Sequence, residues 1–227
     1  MTSEVVAIVA ARDEADRIAA TIDALKEAFP GVRIIVADDA SRDGTSDVAL
    51  ARGAEIVSRR RRHGKGGSMA AAAATLGPLV ELGTAPVFLL CDGDLGASAK
   101  ELRPLVEAIR ARECDLAIGA FSKRVGGGFG VALGFARWAI ERRSGYRAGA
   151  PISGQRAMRG EVLRGVLPFA GGYGMETAMT IDAVRAGYTV REYELDLEHR
   201  PTGRSVRGFA HRARQLVDFA RVWWSRR

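Results

Sequence analysis

Three apolar runs in the first hundred residues each end in charged side chains, and this repetition constrains the fold more than any other feature. Val5-Val6-Ala7-Ile8-Val9-Ala10, Val32-Arg33-Ile34-Ile35-Val36-Ala37 and Val87-Phe88-Leu89-Leu90-Cys91 read as strands buried on both faces. Between the first two, Ile18, Ile22, Leu25 and Phe29 recur at helical spacing, and Pro30-Gly31 closes that helix. After the second, a polar loop over residues 38–45 leads to a helix carrying Val48 and Leu50, then to a short strand, Ala54-Glu55-Ile56-Val57. A β-α-β-α-β order predicts a parallel sheet with helices on its faces. Ligands of such sheets gather beyond the carboxyl ends of the strands. Residues 12–14, Asp38-Asp39 and Asp92-Gly93-Asp94 all fall on that rim.

The third run supplies the sharpest chemistry. Asp92 and Asp94 are separated only by Gly93, so in extended chain their carboxylates point to one side and converge on one cation. Oxygen ligands of this kind suit a hard divalent ion, Mg2+ or Mn2+. A bare Asp-Gly-Asp also reads as a polar turn, and the acids upstream favour the metal reading. Arg59-Arg60-Arg61-Arg62-His63-Gly64-Lys65-Gly66-Gly67 precedes an alanine-rich helix. Backbone N–H groups and the helix dipole there would welcome a phosphate. The four arginines read as a solvated run, whereas Lys65, between glycines, reads as facing a ligand. The Walker spacing is absent.

At 227 residues, 47% hydrophobic and 27% charged, the chain has the size and composition of one folded domain. Its +7 net charge favours an anionic partner, whether phosphorylated small molecule, membrane face or nucleic acid. Cys91 and Cys114 both fall in strand segments, which fits a reducing compartment better than a disulfide framework. No signal peptide is readable at the N-terminus, and no apolar run approaches the roughly 18 residues of a spanning helix. A cytoplasmic protein, free or peripheral on the inner face of the cell membrane, is expected.

These motifs also carry a resemblance. Ala10-Ala11-Arg12-Asp13-Glu14, residues 36–45, His63-Gly64-Lys65-Gly66 and Asp92-Gly93-Asp94 resemble, in order and spacing, four elements of family-2 glycosyltransferases of the GT-A fold. Those elements are Pro-Ala-x-Asn-Glu, Asp-Asp-x-Ser-x-Asp-Gly-Thr, Gly-Lys-Gly and Asp-x-Asp. The likeness is close over the first half and looser over Ser153-Gly154-Gln155-Arg156 and Gly172-Tyr173-Gly174-Met175-Glu176. It implies a single GT-A domain over 1–227, with a nucleotide-sugar half (1–95), an acceptor half (96–227) and a C-terminal amphipathic helix. It further implies transfer of a hexose from a UDP- or GDP-sugar to a phosphorylated acceptor, polyprenyl phosphate foremost.

Residue by residue, the resemblance puts Ala11, Arg12 and Glu14 at the base or ribose and Asp39 on the base N3–H. Lys65 and Gly93 would lie at the diphosphate, and Asp92 and Asp94 would hold the metal, Asp94 counting also as catalytic. Ser153, Gly154 and Arg156 would meet the acceptor. Glu176 would act as base or, for an already ionised phosphate acceptor, as an orienting group; a first-turn acid also simply stabilises its helix. His199 would be a third metal ligand, although a lone histidine is equally a packing residue. Arg200 and Arg204 would grip the diphosphate. Ala10 and Arg12 depart from the family pattern, replacing a proline and a residue that covers the base, and Asp13 replaces Asn.

Two basic amphipathic segments remain. Val131, Phe135 and Trp138 share a helix with Arg137, Arg142 and Arg143. The last 23 residues predict one helix with Phe209, Ala213, Leu216, Ala220 and Trp223 on a stripe and Arg207, Arg214 and Arg221 on another. Each reads either as packing on the chain's own core or as an anionic-membrane face. Rival readings are a soluble acceptor such as 3-phosphoglycerate, a nucleotidyltransferase lacking its usual glycine-rich signature, and a basic nucleic-acid-binding module. Nucleic acid is not the expected partner; a homodimer is compatible with the sequence.

Overall fold

The computed structural model of the chain describes residues 4–77, 86–122, 131–198 and 217–226. In chain order the first half holds β1 (Val5–Ala11), α1 (Ile18–Ala28), β2 (Arg33–Asp38), α2 (Thr45–Ala51), β3 (Glu55–Ser58), α3 (Gly64–Ala74) and β4 (Val87–Asp92). A 3-10 segment (Gly96–Leu102) then runs into α4 (Arg103–Arg110), where the spacing of Leu102, Leu105, Val106 and Ile109 predicts one helix. The second half continues with β5 (Leu116–Phe121), α5 (Val131–Ser144), β6 (Arg156–Met158), α6 (Gly160–Val166), a 3-10 turn (Gly172–Gly174), α7 (Met175–Arg185), β7 (Val190–Leu195) and α8 (217–225).

One seven-stranded sheet has the order β3-β2-β1-β4-β6-β5-β7. The chain builds outward from β1 to β3, then returns to place β4 on the other side of β1. A crevice therefore opens between the ends of β1 and β4, where strand order reverses. Alternate residues of these strands feed two cores, which is why the runs are apolar throughout. Val5, Ala7 and Val9 of β1 join Leu89 and Cys91 under α1 and α4. Val6 and Ile8 join Phe88 and Leu90 beneath α3, α6 and α7.

β6 is the one strand that periodicity does not reveal. It is three residues long and contains a fully buried arginine, yet it lies in the middle of the sheet. It runs antiparallel to both neighbours, with Arg156 opposite Leu90 of β4 and Ile118 of β5.

The two amphipathic segments meet each other. Ile140, Ala148, Ala178, Ile181 and Val222 form a small core shared by α5, α7 and α8. Phe135, Trp138, Trp223 and Trp224 follow one another at ring-centroid separations of 5.4, 5.5 and 6.2 Å, with the Arg143 guanidinium 4.3 Å from the Trp223 ring. Arg226 clasps Asp182 of α7 at 2.7–2.9 Å, and the Tyr173 N–H donates to Asp218 at 3.1 Å. Over 217–225 the C-terminal helix thus docks on helices of its own chain. Phe209, Ala213 and Leu216, with Arg207 and Arg214, lie outside the described residues. No helix among the described residues is long and apolar enough to cross a bilayer.

Candidate active site

Strand register brings the rim residues together. Ala10 lies opposite Asp92, and Ala11 opposite Asp38. The turn after β4 is pinned to β1 and α1. Gly93 N–H donates to Ala10 O at 2.8 Å, Thr21 Oγ1 donates to Gly93 O at 2.8 Å and accepts from Gly96 N–H at 2.8 Å, and Arg17 Nη1 donates to Asp94 O at 3.1 Å. A Cβ at Gly93 would come within 3.1 Å of Ala10 O and of Ile18 Cδ1. The absence of a side chain between the two acids thus keeps this turn tight against β1.

Lys65 stands between two acids from different halves of the chain. Its Nζ lies 2.6 Å from Asp92 Oδ1 and 2.9 Å from Glu176 Oε1. Burial alone would lower the lysine pKa, but the Asp92 and Glu176 carboxylates outweigh it and hold the ammonium well above its usual range. Glu176, at the first turn of α7, is only 4% exposed. On its other side Asp92 is held by Gln155, 1% exposed at the edge of β6: Gln155 Nε2 donates to Asp92 Oδ2 at 2.7 Å, and Asp92 N–H donates to Gln155 Oε1 at 3.1 Å.

The glycines around Lys65 serve close packing. A Cβ on Gly66 would lie 2.1 Å from Ala170 O, and one on Gly154 would lie 2.2 Å from Lys65 Nζ. The N-terminus of α3, expected to face a phosphate, faces an anion of the chain itself. Asp39 accepts from His63 N–H (2.8 Å), Gly64 N–H (3.1 Å) and Ser68 Oγ (3.0 Å), which places its charge at the positive end of that helix.

Arg12, Glu14 and Ala11 also reach the rim. Asp13 and Ala40, at the ends of β1 and β2, both adopt left-handed backbone (φ 54° and 59°), the kind of constraint found where loops carry function. Three bonds lace these turns together: Asp13 N–H to Ser41 Oγ (2.9 Å), Glu14 N–H to Thr45 Oγ1 (2.9 Å) and Ala15 N–H to Asp43 Oδ2 (3.0 Å). Arg12 is exposed beside Asp13, which Arg62 also approaches at 3.9 Å.

Ser153, Gly154 and Arg156 are all buried. Ser153 Oγ donates to Gly119 O at 2.5 Å, and Arg156 donates to Ser153 O (2.8 Å) and Thr180 Oγ1 (3.0 Å). Burial pulls the Arg156 pKa down to about 10, against the opposing pull of Glu176 and Glu192. Arg156 thus ties the 153–156 segment to α7 from within. His199, Arg200 and Arg204 lie outside the described residues.

A divalent cation fits the donor set that is present. No three His, Cys, Asp or Glu side chains among the described residues group as a metal cage. An ion held by one or two carboxylates and completed by substrate phosphates and water is the usual mode for Mg2+; Asp92 ends β4 at this rim, with Asp94 two residues on.

The profile of glycosyl transferase family 2 matches residues 6–161. The chain belongs to this family. An undecaprenyl-phosphate mannosyltransferase of Micrococcus luteus is 31% identical to this glycosyltransferase, over 88% of the chain and 86% of the relative. Glucosyl-3-phosphoglycerate synthase of Mycobacterium tuberculosis in complex with phosphoglyceric acid superposes with a TM-score of 0.76 at 25% identity, covering 97% of this chain and 80% of the other. The same enzyme with Mn2+, uridine diphosphate and phosphoglyceric acid gives 0.75 at 26%, covering 97% and 78%. The sheet, its helices and the reversal between β1 and β4 are those of a GT-A glycosyltransferase.

Gly154→Ala should separate stability from activity in this enzyme. The nearest neighbours of the added methyl group are the flexible head of Lys65 and the Asp92 oxygens, so the melting temperature should hardly move. Displacing the ammonium should raise the donor KM on the order of tenfold, the scale of one charge-assisted hydrogen bond. Steady-state kinetics beside a thermal melt checks both; an unchanged KM would show that Lys65 does not act on the donor.

Proposed function

We propose that this glycosyltransferase moves a hexose from a UDP- or GDP-sugar to a phosphorylated acceptor, polyprenyl phosphate first, with Mg2+ or Mn2+. The observation that carries the reading is Lys65 bridging Asp92 and Glu176 at the crevice between β1 and β4. That arrangement unites a diphosphate-binding cation, an acid of the metal pair and an acid facing from the acceptor half. Asp92 and Asp94 would hold the ion, which when bound neutralises charge on the departing diphosphate. Lys65 would turn from the carboxylates to the diphosphate oxygens. Asp39 would read the base, while Ala11, Arg12 and Glu14 line its pocket and Arg200 and Arg204 add charge at the diphosphate. A phosphate acceptor is already ionised near neutral pH, so Glu176 would orient it rather than take a proton. Arg156 would support Ser153 and Gly154 on the acceptor side.

The 31% relative acts on undecaprenyl phosphate by its name, and the aromatic ladder of α5 and α8 supports a lipid-linked acceptor here. Trp138 and Trp224 are 47% and 60% exposed, and Arg137, Arg142 and Arg221 are exposed on the same two helices. Tryptophan beside arginine suits the interface of an anionic bilayer. The solved neighbours with phosphoglyceric acid favour the second reading, a soluble phosphorylated acceptor.

The test offers UDP- and GDP-hexoses with Mn2+ to the enzyme together with undecaprenyl phosphate in anionic vesicles or 3-phosphoglycerate in solution. Lipid-linked hexose is the expected product, and the protein should co-sediment with anionic vesicles and be released by salt. Transfer to 3-phosphoglycerate alone, without sedimentation, would replace the lipid acceptor by a soluble one. No transfer to either would overturn the reading.

A further inference from the structure

Gln155 stands inside the Ser153-Gly154-Gln155-Arg156 segment with no role assigned to it, yet its side chain holds Asp92 at two points. Asp92 N–H donates to Oε1, which fixes the amide so that Nε2 must face Asp92 Oδ2. Oδ1 is the oxygen turned toward a cation, at present the Lys65 ammonium. The main chain that carries the amide is held by β5: Gly119 N–H donates to the Gln155 backbone carbonyl at 2.8 Å, and a Cβ on Gly119 would press on Gln155 Cβ at 3.2 Å. The chemistry of the residue matters as much as its place. An arginine or lysine here would neutralise Asp92 and weaken its hold on a metal, and an apolar residue would take the Gln155 donor away from Oδ2. A neutral amide orients the acid and leaves its charge intact.

We propose that Gln155 is a positioning residue for the divalent-cation site, fixing Asp92 so that Oδ1 faces the ion. The proposal rests on the reading of Asp92 as a metal ligand. Outer partners of metal ligands typically contribute about 10- to 100-fold to metal affinity. Gln155→Met keeps side-chain length and burial but has no donor. Gln155→Asn keeps an amide yet is one methylene too short to span both Asp92 groups, and serves if the methionine variant does not fold.

The experiment is Mn2+ titration of the full-length protein with UDP present, followed by electron paramagnetic resonance of the free ion, with Asp92→Asn alongside. Turnover is then measured against Mn2+ concentration. Gln155→Met should bind Mn2+ at least about tenfold more weakly and raise the Mn2+ KM equally, with kcat recovering at saturating Mn2+. Unchanged Mn2+ affinity in both Gln155 variants, while Asp92→Asn loses it, would overturn the role of Gln155 and leave the metal site standing. A fall in kcat at every Mn2+ concentration with unchanged affinity would make Gln155 structural. Unchanged affinity in Asp92→Asn itself would remove the metal reading on which the proposal depends.

Discussion

Asp92→Asn should lower kcat/KM for hexose transfer by roughly a thousandfold, about 4 kcal/mol of transition-state stabilisation, the upper range for removing one preorganised electrostatic group. The fold should survive. Asparagine retains the backbone N–H bond to Gln155 and can still face its amide, while the Lys65 ammonium keeps Glu176 as partner. Loss of one ion pair is offset by relief of the repulsion between two acids sharing one lysine. Circular dichroism and a thermal melt should therefore match wild type within about 1 kcal/mol, since Lys65 and Asp92 are only partly shielded from solvent. Undiminished turnover would remove Asp92 from the site.

Gly66→Ala should act in the opposite way, through stability. The new methyl group would lie 2.1 Å from the Ala170 carbonyl oxygen and 3.2 Å from its carbon, both backbone atoms. Backbone cannot rotate away as a side-chain tip does, so α3 and the segment before the Gly172–Gly174 turn must part. The upper end of the overpacking range, about 3 kcal/mol, is expected. For a chain of this length that corresponds to roughly 10 °C in melting temperature. Gly134→Ala on α5 is the control. Nothing stands within 4 Å of its Cβ position, so alanine should raise stability by up to about 1 kcal/mol through helix propensity. Equal melting temperatures for Gly66→Ala and wild type would refute the packing argument.

Gly66 also shows where sequence reading reached its limit. Its neighbours were legible as a functional loop because glycines and one lysine precede a helix. What the glycines approach was not legible, since Ala170 and Gly172 lie a hundred residues away. The strands β1, β2 and β4 were readable because burial on both faces leaves their interiors apolar, with polar residues only at their ends (Arg33, Asp38 and Asp92), and the acids at or beyond those ends followed from the rule about carboxyl ends. Asp39 could be placed on the rim from sequence, but not its grip on the start of α3, which depends on how the β2 loop meets residues 63–68. Gln155 stands inside a motif that assigns it no role. Its meaning comes from a pairing between β4 and β6, and a three-residue strand containing an arginine has no periodicity to announce it.

β6 also bears on how such an enzyme could be rebuilt. Main-chain hydrogen bonds run from β4 through residues 156–158 to β5, so the stretches before and after residue 95 share a seam inside one sheet rather than a linker. A chimera that exchanged everything after residue 95 for another family member's sequence would replace that seam. The incoming Arg156 equivalent would have to match the Phe88, Leu89 and Leu90 backbone of the host. Exchanges confined to the surface of α5 and α8 therefore disturb this sheet less than a swap of halves does.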